Sequence, residues 1–138
     1  MKDLSYYKSK RFAYTLIIAA IFITAVFYFG MKDPNVIVTS GKIEVKGIYG
    51  FTADIQNLKV DTVNSLPEIS MRTNGFSGGG VLKGKFRTRA GENIKLFIHR
   101  ESLPYIKISG EGLKTVYLNL SSSEKTISLF TQIKSNSK

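Results

Sequence analysis

A chain of 138 residues with 20 Lys and Arg against 10 Asp and Glu carries a formal net charge of +10. It contains no cysteine, which excludes disulfides, thiolate nucleophiles and cysteine-bound metals. The length leaves room for one folded domain beside a membrane segment, and the charge favours anionic partners such as phospholipid head groups, nucleic acid or cell-wall polymers.

The first element is an apolar segment, "FAYTLIIAAIFITAVFYFGM", at residues 12–31. As a helix it would be about 30 Å long, which matches the hydrocarbon thickness of a bilayer, and it carries Tyr14 and Tyr28 near its ends, where such rings favour the interface. A cleavable signal peptide is the alternative. The segment is longer than a usual signal core and is not followed by a small-x-small cleavage pattern, so we expect an uncleaved transmembrane helix.

The charges beside this segment predict its orientation at the cell membrane. Four cations precede it within a basic tail at residues 1–11, and three follow it, two of them beyond a linker at residues 32–35: Lys2, Lys8, Lys10 and Arg11, then Lys32, Lys42 and Lys46. The positive-inside rule therefore favours a single span with a cytoplasmic N-terminus and an extracytoplasmic domain.

Residues 36–134 have the pattern of a mainly β domain. Apolar residues alternate with polar ones in "KIEV", and turn signals such as Asn74-Gly75 and Gly110-Glu111-Gly112 separate the runs. Such spacing predicts an antiparallel β-sandwich or barrel of about seven strands. The predicted strands contain residues 43–45, 55–63, 68–73, 81–88, 93–99, 105–109 and 114–120.

A C-terminal helix follows the strands, and residues 135–138 form a tail. Ser121 and Glu124 have the spacing of a capping box, which predicts that the helix begins there and closes the open end of the barrel. One apolar helical face is expected to contain Ile127, Phe130 and Ile133, with Leu129 beside it.

Together the segments "DIQNL", "LPEISMRTNGF", "IKLFIH", "PYIKIS", "VYLNL" and "EKTISLF" resemble the bacterial pleckstrin-homology (PH)-like family, over residues 36–133. The resemblance implies two orthogonal antiparallel sheets with a capping helix, often beside a membrane span, and a binding module without catalytic activity. The chain departs from eukaryotic PH domains in having Phe130 where the final helix usually carries tryptophan. It also has only Lys42 and Lys46 as basic residues in the segment Lys42–Phe51, which argues against specific phosphoinositide recognition.

A glycine-rich stretch, "NGFSGGGVLKGKFRTRAG", contains most of a phosphate-binding P-loop in Gly79, Gly84 and Lys85. Phe86 occupies the position of the Mg²⁺-binding Ser or Thr, and a strand pattern replaces the following helix. We therefore predict that Gly78, Gly79 and Gly80 permit a flexible loop or a turn with positive φ angles. Alternatively, these glycines let the backbone approach a partner, with Phe76 as a neighbouring contact.

The strand after this turn alternates between two kinds of side chain. Leu82, Gly84, Phe86 and Thr88 are predicted to face one side, and Lys83, Lys85, Arg87 and Arg89 the other. The functional interpretation is an anion-binding stripe for lipid head groups. The alternative is a solvated face whose charges oppose aggregation.

No residue pattern predicts catalysis, a metal or a cofactor. His99 is the only histidine, and Ser77 lies in a G-x-S-x-G pattern that has meaning only in a large α/β sheet. Nucleic acid is not expected, because aromatic residues do not interleave with the basic stripe. The sequence thus predicts a membrane-anchored binding or scaffolding module that contacts anionic lipid, or alternatively a structural subunit that binds a protein partner through a sheet edge or loop.

Overall fold

The computed structural model describes residues 4–137, with side chains from residue 8 onward. Contacts divide the chain into two compact units, Met1–Lys32 and Asp33–Lys138. The first unit is helix α1, which runs from Leu4 to Met31 and so contains the whole predicted span. Residues 4–11 of the segment predicted as a basic tail are helical as well, and Lys2 lies outside the described residues.

Helix α1 is long and apolar enough over Lys8–Met31 to span a membrane. Its large side chains are exposed all round, with Ile18 at 67% and Phe22 at 68% exposure, and a helix that is apolar on every side suits a hydrocarbon environment. The hydroxyl of Thr24 donates to the Ala20 carbonyl at 2.8 Å, which satisfies it within the helix.

The second unit is mainly β, as predicted, but has nine strands rather than about seven. The two additional strands, Val36–Thr39 and Phe51–Asp54, have four residues each, too few for a clear alternating pattern. Of the predicted run 55–63, the first three residues form a 3-10 turn, Ile55–Asn57. The strands are β1 (Val36–Thr39), β2 (Lys42–Val45), β3 (Phe51–Asp54), β4 (Leu58–Val63), β5 (Ile69–Gly78), β6 (Val81–Thr88), β7 (Asn93–His99), β8 (Tyr105–Gly110) and β9 (Leu113–Leu118).

These strands form a three-stranded sheet in the order β1-β2-β3 and a six-stranded sheet in the order β4-β8-β9-β7-β6-β5. All pairs are antiparallel except β7 and β9, which are parallel. The prediction of purely antiparallel pairing is wrong at this one place, because β9 inserts between β8 and β7 and has to run in the direction of β7.

The six-stranded sheet cannot be flat. Its edge strands, β4 and β5, would lie about 24 Å apart across five strand spacings. Residues 64–68 connect them, and the path from Val63 to Ile69 spans at most about 22 Å when fully extended. The sheet is therefore curled. Leu66, in this connection, packs against an apolar cluster on one face of the sheet. That cluster contains Leu82, Phe86, Ile94, Leu96, Ile98, Tyr105 and Tyr117.

The larger core lies on the opposite face of the same sheet. It joins buried side chains of the six-stranded sheet, such as Val60, Ile108 and Leu118, to those of the small sheet and the C-terminal helix. This helix, α2, runs from Ser123 to Ser135. Its contribution to the core is the buried pair Leu129 and Ile133.

The start and the buried face of α2 differ from the predictions. Ser122, not Ser121, is the N-cap, and its hydroxyl accepts from the Lys125 amide. The spacing of Ser121 and Glu124 was therefore misleading by one residue. Ile127 is 52% exposed, because the helix turns Thr126, Leu129 and Ile133 inward instead, while Phe130 is half-buried.

Candidate functional site

Strand β6 has the predicted alternation. Leu82, Gly84, Phe86 and Thr88 are buried, whereas Lys85 and Arg87 are exposed and Lys83 is half-buried. Because β6 lies between β5 and β7, it is not an edge strand, so its charges do not act by blocking an exposed edge.

The four predicted cations have different surroundings. Lys83 lies close enough to Asp33 to feel its charge. Burial lowers the pKa of Lys83, and the Asp33 carboxylate opposes that shift. Arg89 follows the end of the strand and forms an exposed ion pair with Glu68. Of the predicted stripe, only Lys85 and Arg87 are exposed strand residues without an ion-pair partner within 4.0 Å among the described residues.

Two further lysines join Lys85 from neighbouring strands. In the register of β6 and β7, Lys85 is directly opposite Lys95, and directly opposite residues point to the same face. Lys95 is in turn opposite Val116 of β9, and Lys114 of the same strand lies close enough for its charge to act on Lys95. We call Lys85, Lys95 and Lys114 the lysine cluster. It crosses three adjacent strands rather than following one.

Like charges dominate the electrostatics of this cluster. Burial, followed by the positive charges of Lys85 and Lys114, lowers the pKa of Lys95. In the described part of the chain, none of the three ammonium groups has a carboxylate within 4.0 Å. Like charges on directly opposite strand residues are unfavourable. An anion placed among the three ammonium groups would therefore relieve their repulsion.

The connection between β2 and β3 covers one side of the lysine cluster. Lys95 Nζ donates to the Gly50 carbonyl at 3.3 Å and lies 5.7 Å from the centre of the Phe51 ring. The Tyr49 hydroxyl donates to Asn74 Oδ1 at 3.1 Å, and Asn74 is opposite Lys85 on β5. A side chain at Gly50 would lie 2.1 Å from the Val45 carbonyl oxygen, so the connection can pass here only with glycine at this position.

The predicted positive-φ turn is present, at Gly79 (φ 56°) and Gly80 (φ 77°). These two residues join β5 to β6 in the manner of a two-residue hairpin turn, and the Gly80 carbonyl accepts from the Arg100 amide at 2.8 Å. Gly78 is the last residue of β5. Phe76 is half-buried and opposite Lys83, so it belongs to the strand rather than to the tip of the loop.

A cluster of polar side chains surrounds Asp33. The sequence did not predict this cluster. The Ser121 amide and hydroxyl donate to the two oxygens of Asp33 at 2.7 and 2.9 Å. His99 Nε2 lies 2.9 Å from Asp33 Oδ1 but is not aligned for a hydrogen bond. The carboxylate therefore lies between the serine and the histidine, which have no direct hydrogen bond with each other.

Asn119 supports this group from inside. It is fully buried, its Oδ1 accepts from the His99 amide at 2.6 Å, and its Nδ2 donates to the His99 carbonyl at 2.9 Å and to the Ser102 carbonyl. The side chain thus joins the end of β7 to the turn that follows it. An open groove of about 660 Å³ lies beside this turn and the start of α2.

Ser77 and His99 are on opposite faces of the sheet. Ser77 is opposite Leu82, which is opposite Ile98, and His99 is the next residue along β7. The two side chains therefore do not form a nucleophile–base pair. Among the described residues, no three His, Cys, Asp or Glu side chains are grouped so as to hold a metal ion.

No family model, curated protein or solved structure matches the chain.

Proposed function

We propose that this protein is a membrane-anchored, non-catalytic binding module whose basic face contacts anionic lipid head groups. The observation that supports the proposal is the lysine cluster, three neighbouring ammonium groups on adjacent strands with no carboxylate within 4.0 Å among the described residues. A cation close to an anionic membrane contributes about 1 kcal/mol to binding. Helix α1 supplies an apolar segment of sufficient length for the anchor.

The resemblance to the bacterial PH-like family is part of the same proposal. Two sheets with a C-terminal helix agree with the architecture that the resemblance implies, and the parallel pair β7 and β9 departs from it. From the flanking charges we further propose a single-pass protein of the cell membrane, with its N-terminus in the cytoplasm and its β domain outside.

The non-catalytic part of the proposal rests on the arrangement of the polar side chains. A hydrolase triad needs a serine bonded to a histidine that an acid orients. Here Asp33 contacts both Ser121 and His99, and Ser77 is on the opposite sheet face from His99. Neither arrangement lets the histidine take a proton from a serine hydroxyl.

A structural role in a membrane complex is the second candidate, and strand β5 favours it. This strand has ten residues and is at the edge of the six-stranded sheet, with residues 70–74 exposed. An unpaired edge of this length can accept a strand from a partner.

A vesicle-binding experiment tests the first candidate. The full chain would be placed in nanodiscs of phosphatidylcholine, and its co-sedimentation with separate large vesicles would be measured. The vesicles would be pure phosphatidylcholine or phosphatidylcholine mixed with phosphatidylglycerol, each at low and physiological salt. We expect binding only to the anionic vesicles and weaker binding at the higher salt, because salt screens exposed charges.

The matched variants both reverse two exposed cations. Lys85→Glu/Arg87→Glu changes the basic face, and Lys125→Glu/Lys134→Glu changes α2. We expect the first pair to abolish binding and the second to weaken it only slightly. Equal binding to neutral and anionic vesicles would contradict the lipid proposal and leave the strand-pairing role of β5 as the better candidate.

A further inference from the structure

One apolar side chain in the β domain is almost fully exposed. Ile48 has 94% of its surface accessible, whereas no other large apolar residue in the described part of the domain exceeds the 54% of Met71. An isolated exposed apolar residue is ordinary at a moderate level of exposure. Ile48 is different because it makes almost no contact with its own domain.

The backbone holds Ile48 at the tip of a tight turn. The Gly50 amide donates to the Gly47 carbonyl at 2.9 Å, so Ile48 and Tyr49 are the two central residues of a β-turn. Gly47 has a φ of 117°, a value that glycine adopts readily and other residues rarely.

The two residues after Ile48 connect this turn to the lysine cluster. Tyr49 donates to Asn74, the neighbour of Lys85, and the Gly50 carbonyl accepts from Lys95. The exposed apolar tip and the ammonium groups are therefore parts of one surface, and successive Cα atoms along this turn are only about 3.8 Å apart.

This combination distinguishes a lipid surface from a soluble anion. Three cations would suit either source of a phosphate group. An exposed aliphatic side chain beside them, however, gains nothing from a soluble phosphate and gains free energy when it enters the apolar boundary of a bilayer.

We infer that the Gly47–Gly50 turn and the lysine cluster together form a site for the phosphate head group of a phospholipid. Ile48 enters the boundary between head groups and acyl chains, and Lys85, Lys95 and Lys114 bind the phosphate. Asn74, which is opposite Lys85 in the strand register, offers its Nδ2 as a further donor, since Oδ1 already accepts from Tyr49. The inference rests on the proposed function and names the residues and the ligand group.

The test uses the full chain in phosphatidylcholine nanodiscs and separate vesicles that contain phosphatidic acid. Two double variants remove the same charge: Lys95→Gln/Lys114→Gln within the cluster, and Arg87→Gln/Arg89→Gln within the predicted stripe but outside the cluster. We expect the first to weaken binding about thirtyfold and the second less than fivefold. Equal losses in the two variants would overturn the cluster as a site while leaving diffuse attraction to anionic lipid, and hence the proposed function, intact.

A second pair of variants tests the apolar contact. Ile48→Asp should weaken vesicle binding on the order of tenfold or more, while Ile127→Asp, an exposed isoleucine on α2, should have a much smaller effect. Thermal unfolding should be nearly unchanged in both. Unaltered binding of the Ile48→Asp variant would overturn the insertion of Ile48.

Inorganic phosphate as a soluble competitor separates the two sources of phosphate. We expect little displacement of the vesicles, because free phosphate does not gain from Ile48. Strong displacement, together with phosphate binding that does not depend on Ile48, would overturn the lipid assignment. If the unaltered chain has no preference for anionic vesicles at all, the proposed function itself is wrong.

Discussion

Two ends of one sheet face differ in how their cations are balanced. Lys83 is half-buried and lies near the Asp33 carboxylate, which also contacts His99 and Ser121. One cation further along β6, Lys85 is exposed, and its neighbours Lys95 and Lys114 are also cationic. The strand pattern is the same at both ends. The difference is the Asp33 carboxylate, a counter-charge that comes from outside the strand. We call the end at Lys83 and Asp33 the closed end. The end at Lys85, which lacks this counter-charge and is available for an external anion, is the open end.

Gly84 lies between these two ends, and its replacement should have the largest effect. Its φ is 125°, it is opposite Gly75, and an added Cβ would lie 2.3 Å from the Asn74 carbonyl oxygen. We expect Gly84→Ala to lower the free energy of unfolding by about 4 kcal/mol, because it combines backbone strain with a backbone clash.

Gly91→Ala is the matched control. Gly91 also has a positive φ, of 88°, but an added Cβ there meets no atom within 4 Å. Only the conformational strain remains, which is about 1–2 kcal/mol. Chemical unfolding of both variants measures the difference, and equal losses would show that the Gly75–Gly84 contact is not tight.

The closed end depends on Asn119. Asn119→Ala leaves the His99 amide and the Ser102 carbonyl without their side-chain partner and the His99 carbonyl with only the Ser102 amide, and we expect a loss of about 3 kcal/mol, because these groups are partly buried. Asn93→Ala, at an exposed position of β7, the strand that ends at His99, should change stability by less than about 0.5 kcal/mol. Hydrogen exchange would localise the effect: protection should fall at residues 99–102 and persist around Lys85 and Lys95.

Removing the counter-charge makes the two ends more alike. Asp33→Asn eliminates the carboxylate beside Lys83 and His99 and weakens the two bonds from Ser121, so we expect a loss of about 1–2 kcal/mol. Asp54→Asn is an exposed control that should have little effect. Urea unfolding measures both. If the two variants are equally stable, Asp33 is not the group that balances the closed end.

The smallest expected effect is a pH dependence at the open end. The pKa of Lys95 is lowered from its ordinary value of 10.5 by burial and by Lys85 and Lys114, so between the lowered pKa and 10.5 the unfolded chain binds more protons than the folded chain. The contribution of Lys95 therefore destabilises the fold most below the lowered pKa, and stability rises as the pH increases through this window.

Lys95→Met removes that contribution. We expect the stability difference between the variant and the unaltered chain to be largest at neutral pH and to shrink as the pH approaches 10.5. Lys83, whose pKa is also lowered, is present in both proteins and cancels from the comparison. A difference that stays constant over this range would mean that burial and the neighbouring cations do not lower the pKa of Lys95.

Local patterns predicted those parts of the fold that depend on neighbouring residues. The alternation from Leu82 to Thr88 indicated which side chains of β6 are buried, and the two glycines at 79 and 80 indicated a positive-φ turn. The lysine cluster was beyond prediction, because the pairing of Lys85 with Lys95 and the proximity of Lys114 depend on which strands become neighbours.

The Asp33 group was not predictable for a related reason. Asp33 and Ser121 are 88 residues apart in the chain, and no local pattern relates them. The start of α2 shows the same limit: Ser121, whose partner is the distant Asp33, lies outside the helix, and Ser122 is the N-cap.

The position of β9 in the middle of the large sheet has a consequence for the order of folding. Strands β5, β6 and β7 are joined by short turns and pair in sequence, whereas β4 has to wait for β8, about 45 residues later. Strand β9 then pairs with β8 on one side and β7 on the other. It therefore joins the local meander of β5, β6 and β7 to the distant pair of β4 and β8, and neither apolar core is complete before residues 113–118 are in place; the larger core also needs Leu129 and Ile133 of α2. Formation of distant pairs is slow compared with hairpin formation, so we expect the docking of β9 against β7 to be slower than the formation of the meander.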